Sequence, residues 1–241
     1  MTPRVGIISQ ARMTSKRLPG KVLLEAAGRP MLYWHFARLR NSGIPIYLAT
    51  TTNATDQPLV QLAQDNNIPF WRGSEDDVLT RFYGCAAMAE LDIVVRVTSD
   101  CPLIDGYLLR AFVDEYQTLN DTNVYMCNSS ETYPRGLDFE IFSMDLLKEA
   151  FDQAHTVPQR EHVTPYFYEG ASGRVRIIRQ QLATDKSHMR FTLDTPADFE
   201  LLRALIETHE AHRLNYQEII ELLDNNVGLR LLNADIIQKV P

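Results

Sequence analysis

The chain holds 241 residues, 45% of them hydrophobic, with 24 Lys and Arg against 31 Asp and Glu for a net charge of −7. That length allows one large α/β domain with a full core, and the acidic balance argues against a general nucleic-acid binder. Three cysteines with no Cys-x-x-Cys spacing point to neither a zinc site nor a disulfide framework, and the lack of a signal-like or ~20-residue apolar segment predicts a soluble, cytoplasmic protein without a membrane partner.

Residues 5–8 are a short apolar run that reads as a buried strand. The run empties into a loop holding Arg12, Lys16, Arg17 and Lys21, with Pro19 and Gly20 as its turn signal. Residues 1–40 carry eight Lys and Arg against the single acid Glu25, a local charge of +7 on a body of −14. A buried strand that ends in a basic, Gly-containing loop is where open α/β sheets bind ligands. Four cations within ten residues suit a small anion such as a polyphosphate, although a solvated basic loop has the same composition. The loop is not a P-loop, because Ser15 stands where the first glycine belongs and Val22 follows Gly20-Lys21. The Gly-x-Gly-x-x-Gly dinucleotide fingerprint is also absent after this strand.

Farther along, Pro30 opens a helix whose apolar residues are Leu32, Phe36 and Leu39. Residues 44–52 read as a strand, Leu59, Leu62 and Ala63 as a helix, and residues 69–73 as a short strand stopping at Gly73. Ser74 to Asp77 reads as a capping box, with the Ser74 hydroxyl taking an orphan amide of the helix that follows. This alternation predicts a parallel sheet with crossover helices. Residues 93–100 are the most strand-like run, central in the sheet and ending on Asp100, and Asp105 caps the next helix. Residues 124–127 and 137–142 are further strands, and residues 125–180 are irregular enough to form a small inserted lobe. Residues 174–180 alternate as a half-exposed strand, and residues 189–194 form the last clear one. Thr195, with Pro196 and Asp198, starts a helix, residues 216–223 mark another, and residues 228–241 are a tail of weak pattern.

Two carboxylates stand where chemistry is expected. Asp100 ends the central strand, and Asp194 ends the last strand just before a helix. Either could neutralise the basic loop or rest against a helix dipole. With a polyphosphate present, one or two carboxylates plus phosphate oxygens are what Mg²⁺ requires.

Ala11-Arg-Met-Thr-Ser-Lys-Arg-Leu-Pro-Gly-Lys21 resembles the signature of the sugar cytidylyltransferases, closest to the spore-coat-polysaccharide type and similar in register to the CMP-Kdo synthetases. It departs from the former at Thr14, where glycine is usual, and at Lys16, where threonine is usual. The resemblance extends to residues 72–77, 94–105, 133–142 and 190–200. It implies a Rossmann-like (GT-A-like) nucleotidyltransferase fold, an α/β mixed, mostly parallel sheet flanked by helices. It implies CTP and an acidic sugar of the 3-deoxy-2-ulosonic acid class as substrates, pyrophosphate as a product, and a homodimer formed through the inserted lobe. Arg12, Lys21 and Asp100 would be catalytic, with Mg²⁺ on Asp100 and Asp194. The nucleotide would meet Ala11, Arg12, Ser15, Lys21, Arg72 and Ser74, although Arg72 could instead pair with Asp76 or Asp77. Tyr133, Arg135, Asp138, Glu140, Arg160 and His162 would form the acceptor pocket, with Arg160 or Arg135 facing a sugar carboxylate. Transfer to a sugar or alditol phosphate, a glycosyltransferase and a non-catalytic nucleotide-binding module are the alternatives. Ser99-Asp100-Cys101 lacks the Asp-x-Asp pair usual in the glycosyltransferases.

Overall fold

The computed structural model describes residues 2–236. The opening run is β1 (Val5–Gln10), buried from Gly6 to Ser9. After the basic loop come a two-strand ribbon, β2 (Glu25–Ala26) and β3 (Arg29–Pro30), and then α1 (Met31–Arg40). The alternation continues through β4 (Ile46–Thr51), α2 (Gln57–Asp65), β5 (Phe70–Gly73), α3 (Val78–Met88), β6 (Ile93–Thr98) and α4 (Gly106–Leu119). The second half holds β7 (Val124–Asn128), β8 (Phe139–Ser143), α5 (Met144–Gln153), α6 (Val157–His162), α7 (Pro165–Tyr168) and β9 (Arg176–Gln180). It closes with α8 (Pro196–Glu207), α9 (Tyr216–Asn225) and α10 (Val227–Leu231).

Seven strands form one sheet in the order β5-β4-β1-β6-β8-β7-β9. The first four are mutually parallel, β8 runs antiparallel to both β6 and β7, and β9 is parallel to β7. Strands from the region expected as a lobe therefore extend the same sheet. Alternation along the central strands splits the core in two, with Ile7 and Val95 on one face and Ile8 and Val94 on the other. The first face packs Phe36, Leu109 and Leu202 from α1, α4 and α8, and the second packs Phe82, Leu147 and Phe167 from α3, α5 and α7. Among the described residues no helix is long and apolar enough to cross a membrane.

Two expected caps hold. Asp105 accepts the Tyr107 and Leu108 amides at 2.8 and 3.0 Å, and Thr195 with Asp198 makes a reciprocal capping box. The cap expected at Ser74 moves to Asp77, whose carboxylate accepts the Thr80 amide at 2.9 Å and starts α3 at Val78. Ser74 instead accepts the Asp77 amide at 3.0 Å, one turn earlier.

The strand expected at residues 189–194 is extended but has no ladder. A single bridge joins Arg190 to Arg135. Pro134 has no N–H to offer, and Gly136 turns the partner away at φ +111°, where a Cβ would sit 2.7 Å from the Phe191 backbone. The alternating pattern survives because Met189, Phe191 and Leu193 enter the core. Part of the tail expected after residue 228 forms the end of α10, and residues 237–241 lie outside those described.

Beneath the basic loop, His35 is buried with its ring nitrogens 2.8 Å from the Ser9 hydroxyl and 2.8 Å from the Cys101 carbonyl. Burial lowers its pKa to about 4, outweighing the Cys101 carbonyl and Asp100. The unfolded chain then binds a proton between the ordinary histidine pKa and about 4 that the native state does not. Stability present above pH ~6.5 should be lost as pH falls toward 4, by about 3 kcal/mol in full. Urea unfolding of the wild type and His35→Gln across this window checks it, since the variant should have the flatter profile.

Candidate active site

The cleft lies beyond the carboxyl ends of β1 and β6. Asp100 stands two residues past β6, and Asp194 ends the buried extended segment that leads to α8. The alternation that sends Leu193 into the core turns Asp194 the other way. The two carboxylates meet on one cation: Lys21 Nζ is 2.8 Å from Asp100 Oδ2 and 2.9 Å from Asp194 Oδ1. Burial would raise the Asp100 pKa, but the Lys21 ammonium overrides it and brings it to about 2. Burial opposes the charge on Lys21 too, and Asp100 and Asp194 outweigh it, so its pKa is raised.

Asp194 is held from two further sides. Arg17 Nη2 lies 2.9 Å from Oδ1, and Arg190 Nη2 lies 2.9 Å from Oδ2. Arg190 in turn bonds Asp198 through Nε at 2.9 Å, and Asp198 accepts Asn233 Nδ2 at 2.9 Å. Asp198 thus caps α8 and also fixes the arginine that aims Asp194. Sequence reading passed over Arg190, although it sits four residues before Asp194 on the same side of an alternating run.

Two cavities adjoin at this point. One of about 390 Å³ is lined by Ala11, Arg12, Ser15, Lys16, Arg17 and Lys21 from the loop. The other, of about 440 Å³, is lined by Arg96, Arg135, Asp138, Glu140 and Arg179 among others. Four residues line both: Thr98, Asp100, His162 and Asp194. The arrangement is two chambers with the aspartate pair on their shared wall.

Several expected residues fall into these chambers, and others do not. Arg12 reaches Glu75 at 3.3 Å, and Glu75 also accepts Thr14 and Asn53. The Thr14 hydrogen bond leads in lowering the Glu75 pKa. Arg72 is turned away from the cavity, bonding the Thr51 and Asn53 carbonyls at 2.8 and 2.7 Å and Gln57 at 3.1 Å, and it pairs with neither Asp76 nor Asp77. Ser74 stands outside as well, bonded to the Asp77 amide and, through its carbonyl, to Arg81 at 2.6 Å.

In the second cavity, Asp138 pairs with Arg135 at 3.0 Å and also takes the Gly136 amide at 2.9 Å. Glu140 is engaged by Arg96, by the Tyr125 hydroxyl at 2.6 Å and by Thr164 at 2.7 Å. Strand register explains the grouping, since Arg96 opposes Glu140, which opposes Cys127, which opposes Arg179. Arg160 lines neither cavity. Its guanidinium grips Asp77 (2.5 and 3.1 Å), Thr80 (2.6 Å) and the Phe151 carbonyl (3.0 Å). Tyr133 is buried 6.4 Å from the Phe112 and Tyr216 rings and belongs to the core.

Arg81 is a cavity residue that sequence reading missed. It is 2% exposed, lines the first cavity, and its Nε has no hydrogen-bond partner. Burial, then repulsion from Arg12, bring its pKa down to about 10. Its place three residues after Val78 and four before Cys85, both apolar, was the available signal.

Among the described residues no group of three His, Cys, Asp or Glu could hold a metal. Two carboxylates converging beside a cationic loop are a poor all-protein cage. They do fit Mg²⁺, which takes one or two carboxylates and completes its shell with phosphate oxygens and water.

The fold and the cleft together define a Rossmann-like nucleotidyltransferase. The profile of the cytidylyltransferase family matches residues 5–223, and the chain belongs to that family. It is 35% identical over 238 residues to an uncharacterized protein of Methanocaldococcus jannaschii, covering 98% of this chain and 96% of that one. It is 30% identical over 228 residues to the spore coat polysaccharide biosynthesis protein SpsF of Bacillus subtilis, covering 91% and 93%. A solved cytidylyltransferase structure from Leptospira borgpetersenii superposes with a TM-score of 0.92 at 31% identity, covering 98% of this chain and all of that one.

Proposed function

We propose that the enzyme transfers the cytidylyl group of CTP to a hydroxyl of an acidic sugar of the 3-deoxy-2-ulosonic acid class, releasing pyrophosphate and forming a CMP-sugar for a surface polysaccharide. The observation that carries this reading is the aspartate pair on the wall shared by two chambers, one cationic and one lined by polar groups suited to a sugar. The similarity to the spore coat protein and the resemblance of residues 11–21 and 193–199 to the CMP-Kdo synthetases support the sugar class.

The first chamber receives the triphosphate. Arg12 offers a planar fork to two phosphate oxygens, and Lys21 and Arg17 can turn from Asp194 to the same anion. Backbone near Ala11 borders the nucleoside. The acceptor lies in the second chamber, where Asp138, Glu140 and His162 face its hydroxyls and Arg135 its carboxylate. Its reacting oxygen meets the α-phosphorus at the shared wall, opposite the departing pyrophosphate. Bound Mg²⁺, held by Asp100 and Asp194, would neutralise charge developing on the phosphate oxygens. Residues 125–180 supply most of the acceptor chamber, and we read the same region as the contact of a cytoplasmic homodimer.

A pyrophosphate-release assay with CTP, Mg²⁺ and a panel of 3-deoxy-2-ulosonic acids tests the reaction, with release expected from at least one acid. Release only with a sugar 1-phosphate or an alditol phosphate would overturn the acceptor class. CTP should raise the melting temperature more than ATP or GTP does, and equal shifts would remove the base preference.

A further inference from the structure

The two oxygens best placed to bind a divalent ion are already in contact with a cation. Asp100 Oδ2 and Asp194 Oδ1 both touch the Lys21 ammonium, at 2.8 and 2.9 Å. A magnesium ion bridging them would sit about 2.0–2.1 Å from each oxygen. It would share that small space with the ammonium, in a region where the Lys21 and Asp194 side chains are 11% exposed and that of Asp100 26%, so water screens the charges only in part. The two cations exclude one another. Asp100 has no other ion-pair partner among the described residues, whereas Asp194 keeps Arg17 and Arg190.

We propose that Lys21 is the resident counter-ion of the metal site and holds it closed until a nucleotide arrives. This inference rests on the cytidylyltransferase reading of the cleft. The triphosphate offers Lys21 and Arg17 new anionic partners in the adjoining chamber, which both residues already line. The lysine side chain is a flexible four-carbon stem carrying a point charge, so it can swing without moving the backbone. Its departure uncovers Asp100 Oδ2 and takes one of the two cations off Asp194 Oδ1, and Arg17 takes the other when it turns to the same phosphates. Metal therefore enters with the nucleotide or after it, and not before. Lys21 acts as a positioning residue that sets binding order, in addition to its contact with phosphate.

Nucleotide-free Mn²⁺ titration followed by electron paramagnetic resonance tests this without turnover. Wild-type protein should bind Mn²⁺ only weakly, and Lys21→Met should bind it at least tenfold tighter. Adding Asp100→Asn to Lys21→Met should abolish the gain, which marks the site. Equal affinity in wild type and Lys21→Met overturns the proposal, as does micromolar binding of Mn²⁺ by wild type alone. The wild-type measurement decides even if the variant fails to fold, and Lys21→Gln serves as a second replacement. Failure of CTP to bind the wild type, read by calorimetry, would instead count against the cytidylyltransferase reading of the cleft.

Discussion

Asp100→Asn is expected to lower turnover by about 10²–10³-fold while leaving the protein folded. The amide keeps the shape of the side chain but removes the charge that faces Lys21 at 2.8 Å on the wall shared by the two chambers. Lys21 retains Asp194 at 2.9 Å, so the loop keeps one anchor and the fold should tolerate the change. Pyrophosphate release at saturating Mg²⁺, beside a melting curve, measures both effects. A near-normal rate in the variant would overturn the proposed role of Asp100 in holding Mg²⁺.

Arg190→Met is expected to cost stability instead, by about 3–5 kcal/mol, because it breaks a buried ion pair and leaves the Asp198 carboxylate without its charge partner, whereas Asp194 keeps Lys21 and Arg17. Arg190 and Asp198 have side chains 7% and 0% exposed, and Arg190 also holds Asp194 at 2.9 Å. Burial would raise the Asp198 pKa, but Arg190, Asn233 and backbone bonding override it and hold it below the usual 3.8. The sign of the pH dependence follows. With its native pKa depressed, Asp198 stabilises above the ordinary carboxylate pKa, and that contribution is lost as pH falls below it. Urea unfolding at pH 7 and pH 3 should show the wild type approaching the variant at the lower pH. A loss under 1 kcal/mol at pH 7 would show that the aspartates are satisfied without the arginine.

Local patterns made most of the parallel half legible. The apolar runs at β1 and β6, the helix starts at Asp105 and Thr195, and the basic loop were all visible because each depends on residues close in sequence. The insertion of β8 between β6 and β7 was not, since strand order is decided by long-range pairing. The same limit governs the site. Convergence of Asp100 and Asp194 was expected from resemblance, and both carboxylates do meet at Lys21. Arg160 and Arg72 looked like ligand residues because a cation in a polar motif has the same letter whether its partner is a substrate or a carbonyl elsewhere in the fold. Arg160 finds Asp77 across 83 positions of sequence, a pairing that no spacing rule encodes. Tyr133 lay in a polar motif but had an aromatic neighbour, Phe112, that only the packing of α4 provides.

The Asp77 carboxylate does two jobs at once. It starts α3 through the Thr80 amide and clasps Arg160 of α6. The helix bearing Arg81 and the helix bearing His162 are thereby riveted into a single jaw that borders both chambers. A jaw fastened in this way resists hinging between its halves. Loosening the rivet, as Asp77→Ala would, should let the walls of the two chambers slip out of alignment together.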